Sequence, residues 1–174
     1  MVSKNLRIIG IDPGLERTGI AVLDASGNNF NPIYCDCIIT KKTKTLQARL
    51  EIIYADLSDA IKKYTPDCMV VEELFFSINV KTALSVGHAR GISILAASIN
   101  DLPVFEYTPL QVKQALTGYG RATKKQVKYM LKAVLGVDEG YFPRQDDAWD
   151  AMAIAICHAN SRNFSAKLKK GKAI

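Results

Sequence analysis

Two short apolar runs, each closed by a carboxylate, set the strongest limit on how this chain folds. Leu6-Arg7-Ile8-Ile9-Gly10-Ile11 is followed by Asp12, and Cys68-Met69-Val70-Val71 by Glu72. Runs this short and this apolar read as buried strands. A further pair, Asp147 and Asp150, opens an apolar helical stretch. Burying such acids together is costly, because each like charge opposes ionisation of the next and desolvation opposes all of them. A divalent cation resolves the conflict. Mg²⁺ in particular takes carboxylate and water ligands and keeps room for a substrate phosphate.

The rest of the pattern supplies a frame. Asp12-Pro13-Gly14 breaks the first strand, and Ile20-Ala21-Val22-Leu23 forms a second. After a polar turn at Ser26–Asn29, the alternation of Ile33, Cys35, Cys37 and Ile39 marks a third, so an antiparallel meander is expected. From Leu46, apolar residues at helical spacing run to Tyr64 and stop at Thr65-Pro66-Asp67. A second helix, about 79 to 99, is rich in small side chains, which suits close packing or a dimer partner. Pro103–Tyr107 reads as the fifth strand. Thr108-Pro109 opens a short helix, Thr123 with Gln126 has capping-box spacing for the next, and Gly136 is placed to end it. A last helix is expected over roughly 146 to 160. Right-handed crossovers make the fourth and fifth strands parallel to the first, in an α/β fold with a mixed five-stranded sheet flanked by helices. Asp12 and Glu72 then end neighbouring parallel strands, where open α/β sheets place their sites.

With 174 residues, the chain is expected to form a single domain, residues 1–160, followed by a flexible basic tail, 161–174. The net charge of +6 resides mostly in that tail. Setting aside Arg162, Lys167, Lys169, Lys170 and Lys172 leaves 18 basic against 17 acidic residues. A nucleic-acid partner must therefore be argued from local clusters. Cys35, Cys37, Cys68 and Cys157 form no C-x-x-C pair, which argues against a zinc ribbon or disulfide framework and fits a reduced compartment. His88 and His158 read as helix-surface or packing residues. The opening residues lack a signal-peptide run and no stretch suits a membrane span, so a cytoplasmic location is expected.

Taken singly, the acids have ordinary explanations. Asp12 is a turn former before Pro-Gly, and Asp146 and Asp147 suit the first turn of a helix, where negative charge meets the helix dipole. Asp150 lies deeper, beside Ala151 and Met152. Asp147 and Asp150 are three apart and share one helix face. The combination points to two ions about 3.5 to 4 Å apart flanking a phosphoryl displacement, bridged by Asp12.

Several segments together carry a family likeness: Ile8-Ile9-Gly10-Ile11-Asp12-Pro13-Gly14 with Thr18-Gly19, Val71-Glu72-Glu73-Leu74-Phe75, Gly87-His88-Ala89-Arg90-Gly91, Gln111-Val112-Lys113-Gln114 and Asp147-Ala148-Trp149-Asp150-Ala151-Met152-Ala153. In this order and spacing, from about residue 6 to 160, they closely resemble the RuvC family of bacterial Holliday junction resolvases. The resemblance implies an RNase H-like fold, a homodimer, and paired symmetric nicking of four-way junction DNA in recombination and repair. It also implies catalysis with two Mg²⁺ per subunit, Mn²⁺ being the alternative metal, and a branch-migration motor of the RuvA and RuvB type as a further partner. By position, Asp12, Glu72, Asp147 and Asp150 correspond to the family's catalytic, metal-binding carboxylates. Glu72 is preferred to Glu73 because alternation sends its neighbour to the other face. Asp146 beside Asp147, and Trp149 where a small residue is usual, depart from the expected pattern.

For DNA contact, Lys124, Lys128 and Lys132 form one stripe at i, i+4 and i+8, with Arg121 and Lys125 beside it. A solvated face is the plain alternative. The resemblance places Lys113 and Lys124 at basic positions of the DNA-binding face and Phe75 at the junction centre, where an exposed aromatic stacks on unpaired bases for about 1–3 kcal/mol. The rivals are an RNase H-like nuclease acting on structured RNA, an actin-like kinase or ATPase, and a non-catalytic junction-binding protein. The kinase reading requires two lobes and a second glycine-rich loop, which this chain lacks.

Overall fold

The computed structural model describes residues 5–73, 80–138 and 140–171. Strands β1 (Leu6–Asp12), β2 (Arg17–Ser26) and β3 (Asn29–Ile39) form the antiparallel meander. Helix α1 (Leu46–Tyr64) leads to β4 (Cys68–Glu72), and α2 (Val80–Ile99) to β5 (Val104–Tyr107). Helices α3 (Pro109–Thr117), α4 (Lys124–Leu135) and α5 (Asp146–Gly171) complete the chain. The sheet order is β3-β2-β1-β4-β5, with β4 parallel to both β1 and β5. This is the mixed, helix-flanked sheet expected of an RNase H-like fold.

Alternation along the central strands divides the core in two. Ile8, Cys68 and Val70 turn to a cluster with α3, α4 and the apolar body of α5. Ile9, Ile11, Met69 and Val71 turn to the opposite cluster with α1 and α2. Gly10 faces α5, and a Cβ there would run into the carbonyl of Ala151. The missing side chain lets the helix backbone lie directly on β1.

Local capping follows the sequence closely. The hydroxyls of Thr108 and Thr123 accept from the N–H groups of Gln111 and Gln126, and both form reciprocal capping boxes. Gly136 ends α4 at φ 64°, in the left-handed region that glycine occupies without a Cβ clash.

Two expectations are corrected. Strand β3 does not alternate cleanly: the register against β2 slips between Val22 and Leu23, so that Ile33 is the extra residue of a bulge and stays exposed. Cys35 and Cys37 do share the α5 face, but at the strand end Ile38 is buried and Ile39 is 56% exposed. The second correction concerns α5, which runs past residue 160 to Gly171. Between 146 and 170 there is no glycine or proline to stop it. The small-residue helix α2 buries Ala89, Ser93, Ala96 and Ala97, whereas Gly91 has nothing near its Cβ position among the described residues.

Candidate active site

The β1–β4 register pairs Ile8 with Cys68 and Ile11 with Val71, and one further step brings Asp12 level with Glu72. Both follow the alternation of Gly10 and Val70, so both turn to the face covered by α5. On the other flank, Asp12 pairs with Gly19 of β2. A Cβ on Gly19 would strike the carbonyl of Asp147. The first turn of α5 is therefore seated on the strand beside Asp12, and Asp147 and Asp150 reach the same space.

Four like charges in one partly enclosed place alter each other. Asp12 titrates well above the usual carboxylate range, through burial first and then through Glu72, Asp150 and Asp147. Glu72 is pushed up to about 7 by burial and by Asp150. Asp150 is also raised by burial, although Lys124 opposes the shift. Asp146 behaves differently. Its hydrogen bond from Lys128, together with Lys124, holds it below the ordinary value.

The cations explain that split. Lys124 Nζ lies 2.8 Å from Asp150 Oδ2 and 3.4 Å from Asp146 Oδ2. Lys128 pairs with Asp146 and sits 5.2 Å from the centre of the Trp149 ring. Trp149 is itself buried on Phe142 at 4.1 Å, with its indole N–H donated to the Pro143 carbonyl at 3.1 Å. The two departures noted in the sequence, Asp146 and Trp149, thus hold the same lysine of α4. Lysines 124 and 125 occupy the positive end of α4, whose first turn contains no acid, against the helix-dipole preference. The carboxylates of α5 offset that local conflict.

Glu72, Lys113, Lys124 and Asp150 line a cleft of about 220 Å³ with Pro109 and Val112. Lys113 reaches it because Glu72 pairs with Tyr107 in β5 and α3 begins directly after that strand. On the far side, Arg17 Nη1 lies 3.7 Å from Asp147 Oδ2. Of the residues expected to touch DNA, Lys113 and Lys124 stand at the carboxylates, Lys128 is engaged by Asp146, and Arg121 is exposed between α3 and α4. Phe75 lies outside the described residues. Glu73 is exposed, its backbone N–H donating to Tyr107, as its alternation from Glu72 implies. His88 is exposed and His158 buried, with Nδ1 3.1 Å from the Tyr107 hydroxyl.

Among the described residues, no three His, Cys, Asp or Glu side chains already form a metal cage. Asp150 is drawn to Lys124, and Asp147 faces Arg17. The donor set nonetheless suits a hard divalent cation. Asp12 and Glu72 offer only oxygen donors, and no ion pair to either is present among the described residues. Cys37, beside this group, stays a thiol, since burial and then Asp147 push it to about 12.

Sequence reasoning missed two elements. The seating role of Gly10 and Gly19 appears only when α5 is placed. The basic residues Arg17, Lys42 and Arg49 near Asp147 were also missed. The run Thr40-Lys41-Lys42-Thr43-Lys44 was a readable charge signal, but its proximity to the acids was not.

Residues 8–158 match the family model described as crossover junction endodeoxyribonuclease RuvC. The protein of that name from Desulforamulus reducens is 52% identical over 93% of this chain and 99% of its own length. Its counterpart from Pelotomaculum thermopropionicum is 48% identical over 93% and 98%. Thermus thermophilus RuvC, solved in complex with a Holliday junction substrate, superposes with a TM-score of 0.86 at 32% identity, covering 92% of this chain and 96% of that one. The yeast mitochondrial Holliday junction resolvase Ydc2 shares the fold, with a TM-score of 0.61 at 14% identity, covering 97% of this chain and 88% of that one.

Proposed function

The chain belongs to the RuvC family of crossover junction endodeoxyribonucleases, and from that premise we propose that Asp12, Glu72, Asp147 and Asp150 form its catalytic, metal-binding centre. The protein is an endonuclease acting on four-way DNA junctions, and nucleases of this family are metal-dependent. The observation that carries the assignment is the condition of Asp12. Its carboxyl is shifted upward by burial and by the three other proposed ligands together, a conflict that bound positive charge relieves.

Two Mg²⁺ ions, with Mn²⁺ as the alternative, would be held by these four carboxylates and would supply charge stabilisation to both the attacking and leaving oxygens of the phosphodiester. Asp12, between the strand-borne and helix-borne acids, is the residue placed to be shared. Glu72 serves the side lined by Lys113, and Asp147 the side lined by Arg17. As a ligand, Asp150 would exchange its pairing with Lys124 for the ion and would leave that ammonium for a phosphate. Lys113 and Lys124 draw the DNA backbone toward a site whose own charge repels it. Arg121 and Lys128 extend that basic surface along α4, and Phe75 is assigned to the junction centre.

A homodimer gives the paired, symmetric nicks that a two-fold junction requires. Supporting it, Leu84, Leu95 and Ile99 of α2 are 61%, 47% and 58% exposed, an apolar stripe unusual for a surface helix. Residues 1–160 act as one nuclease domain. Among the described residues no helix is long and apolar enough to cross a membrane. A junction-cleaving role fits a cytoplasmic location, and a branch-migration motor is the further partner that family membership brings into the proposal.

The deciding experiment follows binding and nicking of a mobile four-way DNA junction separately, with Mg²⁺, in the intact protein and in Asp12→Asn. Nicking falls by about 10³-fold or more in the variant, in line with the several kcal/mol that metal-assisted charge stabilisation supplies, while binding persists. Equal nicking by the two proteins rules out the carboxylate assignment. Faster cleavage of structured RNA than of the junction would favour the rival substrate.

A further inference from the structure

One cluster of charge lies outside the site as described above. The loop between β3 and α1 contains Lys41, Lys42 and Lys44, all exposed, and no acid. It packs against the β1–β2 turn. Thr40 N–H donates to the Glu16 carbonyl at 3.0 Å, the Thr40 hydroxyl donates to the Leu15 carbonyl, and Arg49 Nε donates to the Thr40 hydroxyl at 2.8 Å. Thr18 closes the same turn by donating to the Gly14 carbonyl at 2.8 Å. The two loops are thereby tied into one unit next to Asp12. Between them and α2 lies a cleft of about 500 Å³ bounded by Glu16, Arg17, Lys42, Arg49, Ser85 and Asp147.

The local charge balance is positive. Arg17, Lys41, Lys42, Lys44 and Arg49 stand against Glu16, 3.1 Å from Lys42, and Asp147, 3.7 Å from Arg17. Lys42 and Glu16 are 75% and 50% exposed, and Arg17 is 53% exposed against an Asp147 at 30%, a rim setting in which such pairs contribute little, so either cation changes partner cheaply. A DNA strand whose scissile phosphate meets four carboxylates has flanking phosphates on both sides, and each needs a counter-charge close to that negative centre. Lys113 and Lys124 meet the need on the Glu72 side.

We propose that the cleft between Arg17, Lys42 and Arg49 is a phosphate-binding surface that holds the backbone of the substrate strand on the Asp147 side of the active site. The proposal rests on the junction-cleavage reading above and specifies how the strand passes through the site: between two basic walls, one from α3 and α4, the other from the β1–β2 and β3–α1 loops.

The test measures affinity for a fluorescent four-way DNA junction across a salt series, in an Asp12→Asn background that binds without nicking. Each lost phosphate contact lowers the slope of log affinity against log salt by about 0.9. Arg17→Gln with Lys42→Gln is expected to weaken binding at least tenfold at low salt and to reduce the slope by about 2. Glu16→Gln, which frees Lys42 and removes a repulsive charge, is expected to tighten binding, a gain that a purely structural role for the loop would not produce. Unchanged affinity and slope in these variants, alongside a loss for Lys113→Gln, would overturn the second wall and leave the junction reading intact. Failure of the parent to bind a junction would remove both.

Discussion

The acids at this site come from two kinds of element and live under different electrostatic conditions. Asp12 and Glu72 end strands, have no ion pair among the described residues, and are shifted toward the protonated form. Asp146, Asp147 and Asp150 sit at the start of a helix, and each faces a cation: Lys128 with Lys124, Arg17, and Lys124 respectively. At the strand ends covered by α5, Lys113 and Lys124 reach the cleft beside Glu72 and oppose its shift without pairing to it, whereas the helix terminus at the rim pairs directly with its cations. The strand-borne pair therefore carries the unmet demand for positive charge, and the helix-borne set carries cations that a metal would displace.

That contrast depends on α5 touching the strands, and Gly19 fixes the contact. Gly19→Ala places a methyl group into the Asp147 carbonyl and pushes the first turn of α5 away from Asp12. A displacement of about 1 Å of one ligand set relative to the other is expected to cost about 10²-fold in nicking rate. Junction binding should change far less, because Lys113 is carried by α3. Single-turnover nicking beside equilibrium binding checks this, and nicking at the parent rate would show that the strand–helix distance does not govern catalysis.

Protonation tests the strand side directly. Glu72 in the metal-free protein titrates at about 7, above its ordinary 4.5, and Asp12 is raised too. The folded state thus holds protons that the unfolded chain releases. Stability from these groups is present below about pH 4.5 and is lost as pH rises through 7. Between pH 5 and 7.5 the melting temperature of metal-free protein is expected to fall relative to that of Glu72→Gln, which lacks the titrating carboxyl, and the parent-minus-variant difference isolates that fall. Saturating Mg²⁺ should flatten it, because the ion binds the ionised form. At limiting metal, nicking should rise over the same interval. Asp24 and Asp146, both held low by cationic partners, lose their contributions only in more acidic solution, whereas His158, held down to about 4 by burial, adds stability as pH rises toward 6.5 in parent and variant alike and cancels in their difference. Thermal melts of both proteins at several pH values decide the matter, and a parent that loses no melting temperature relative to Glu72→Gln from pH 5 to 7.5 would contradict the assignment.

The same contrast marks what could be read from the chain. An apolar run closed by an acid is local, so Asp12 and Glu72 stood out, as did the threonine caps of α3 and α4 and the end of α1 at Thr65. Strand β3 resisted because a bulge at Ile33 resets its alternation, and the end of α5 because no helix breaker marks it before Gly171. Cation partners were the least legible. Lys124 and Asp150 are 26 residues apart, and Arg17 meets Asp147 only because Gly19 lets α5 settle on β2. The lysine stripe on α4 was visible, but that two of its members point at acids depends on how the helices dock.

The smallest expected effect separates the two adjacent acids of α5. Asp146 pairs with Lys128 and shares Lys124, both at the rim, where ion pairs contribute about 0.2–1 kcal/mol. Asp146→Asn should thus lower the melting temperature by no more than about 2–4 °C and change nicking by less than about threefold, since Lys124 keeps its 2.8 Å contact with Asp150. Asp147→Asn should leave folding intact and reduce nicking by at least about 10²-fold, because it removes a proposed ligand. Reversal of that order would move the metal ligand from Asp147 to Asp146. It would also mean that Lys128, not Arg17, is the cation displaced on metal binding, and the contrast between a cation-supplied helix and an unsupplied strand pair would have to be redrawn around Asp147.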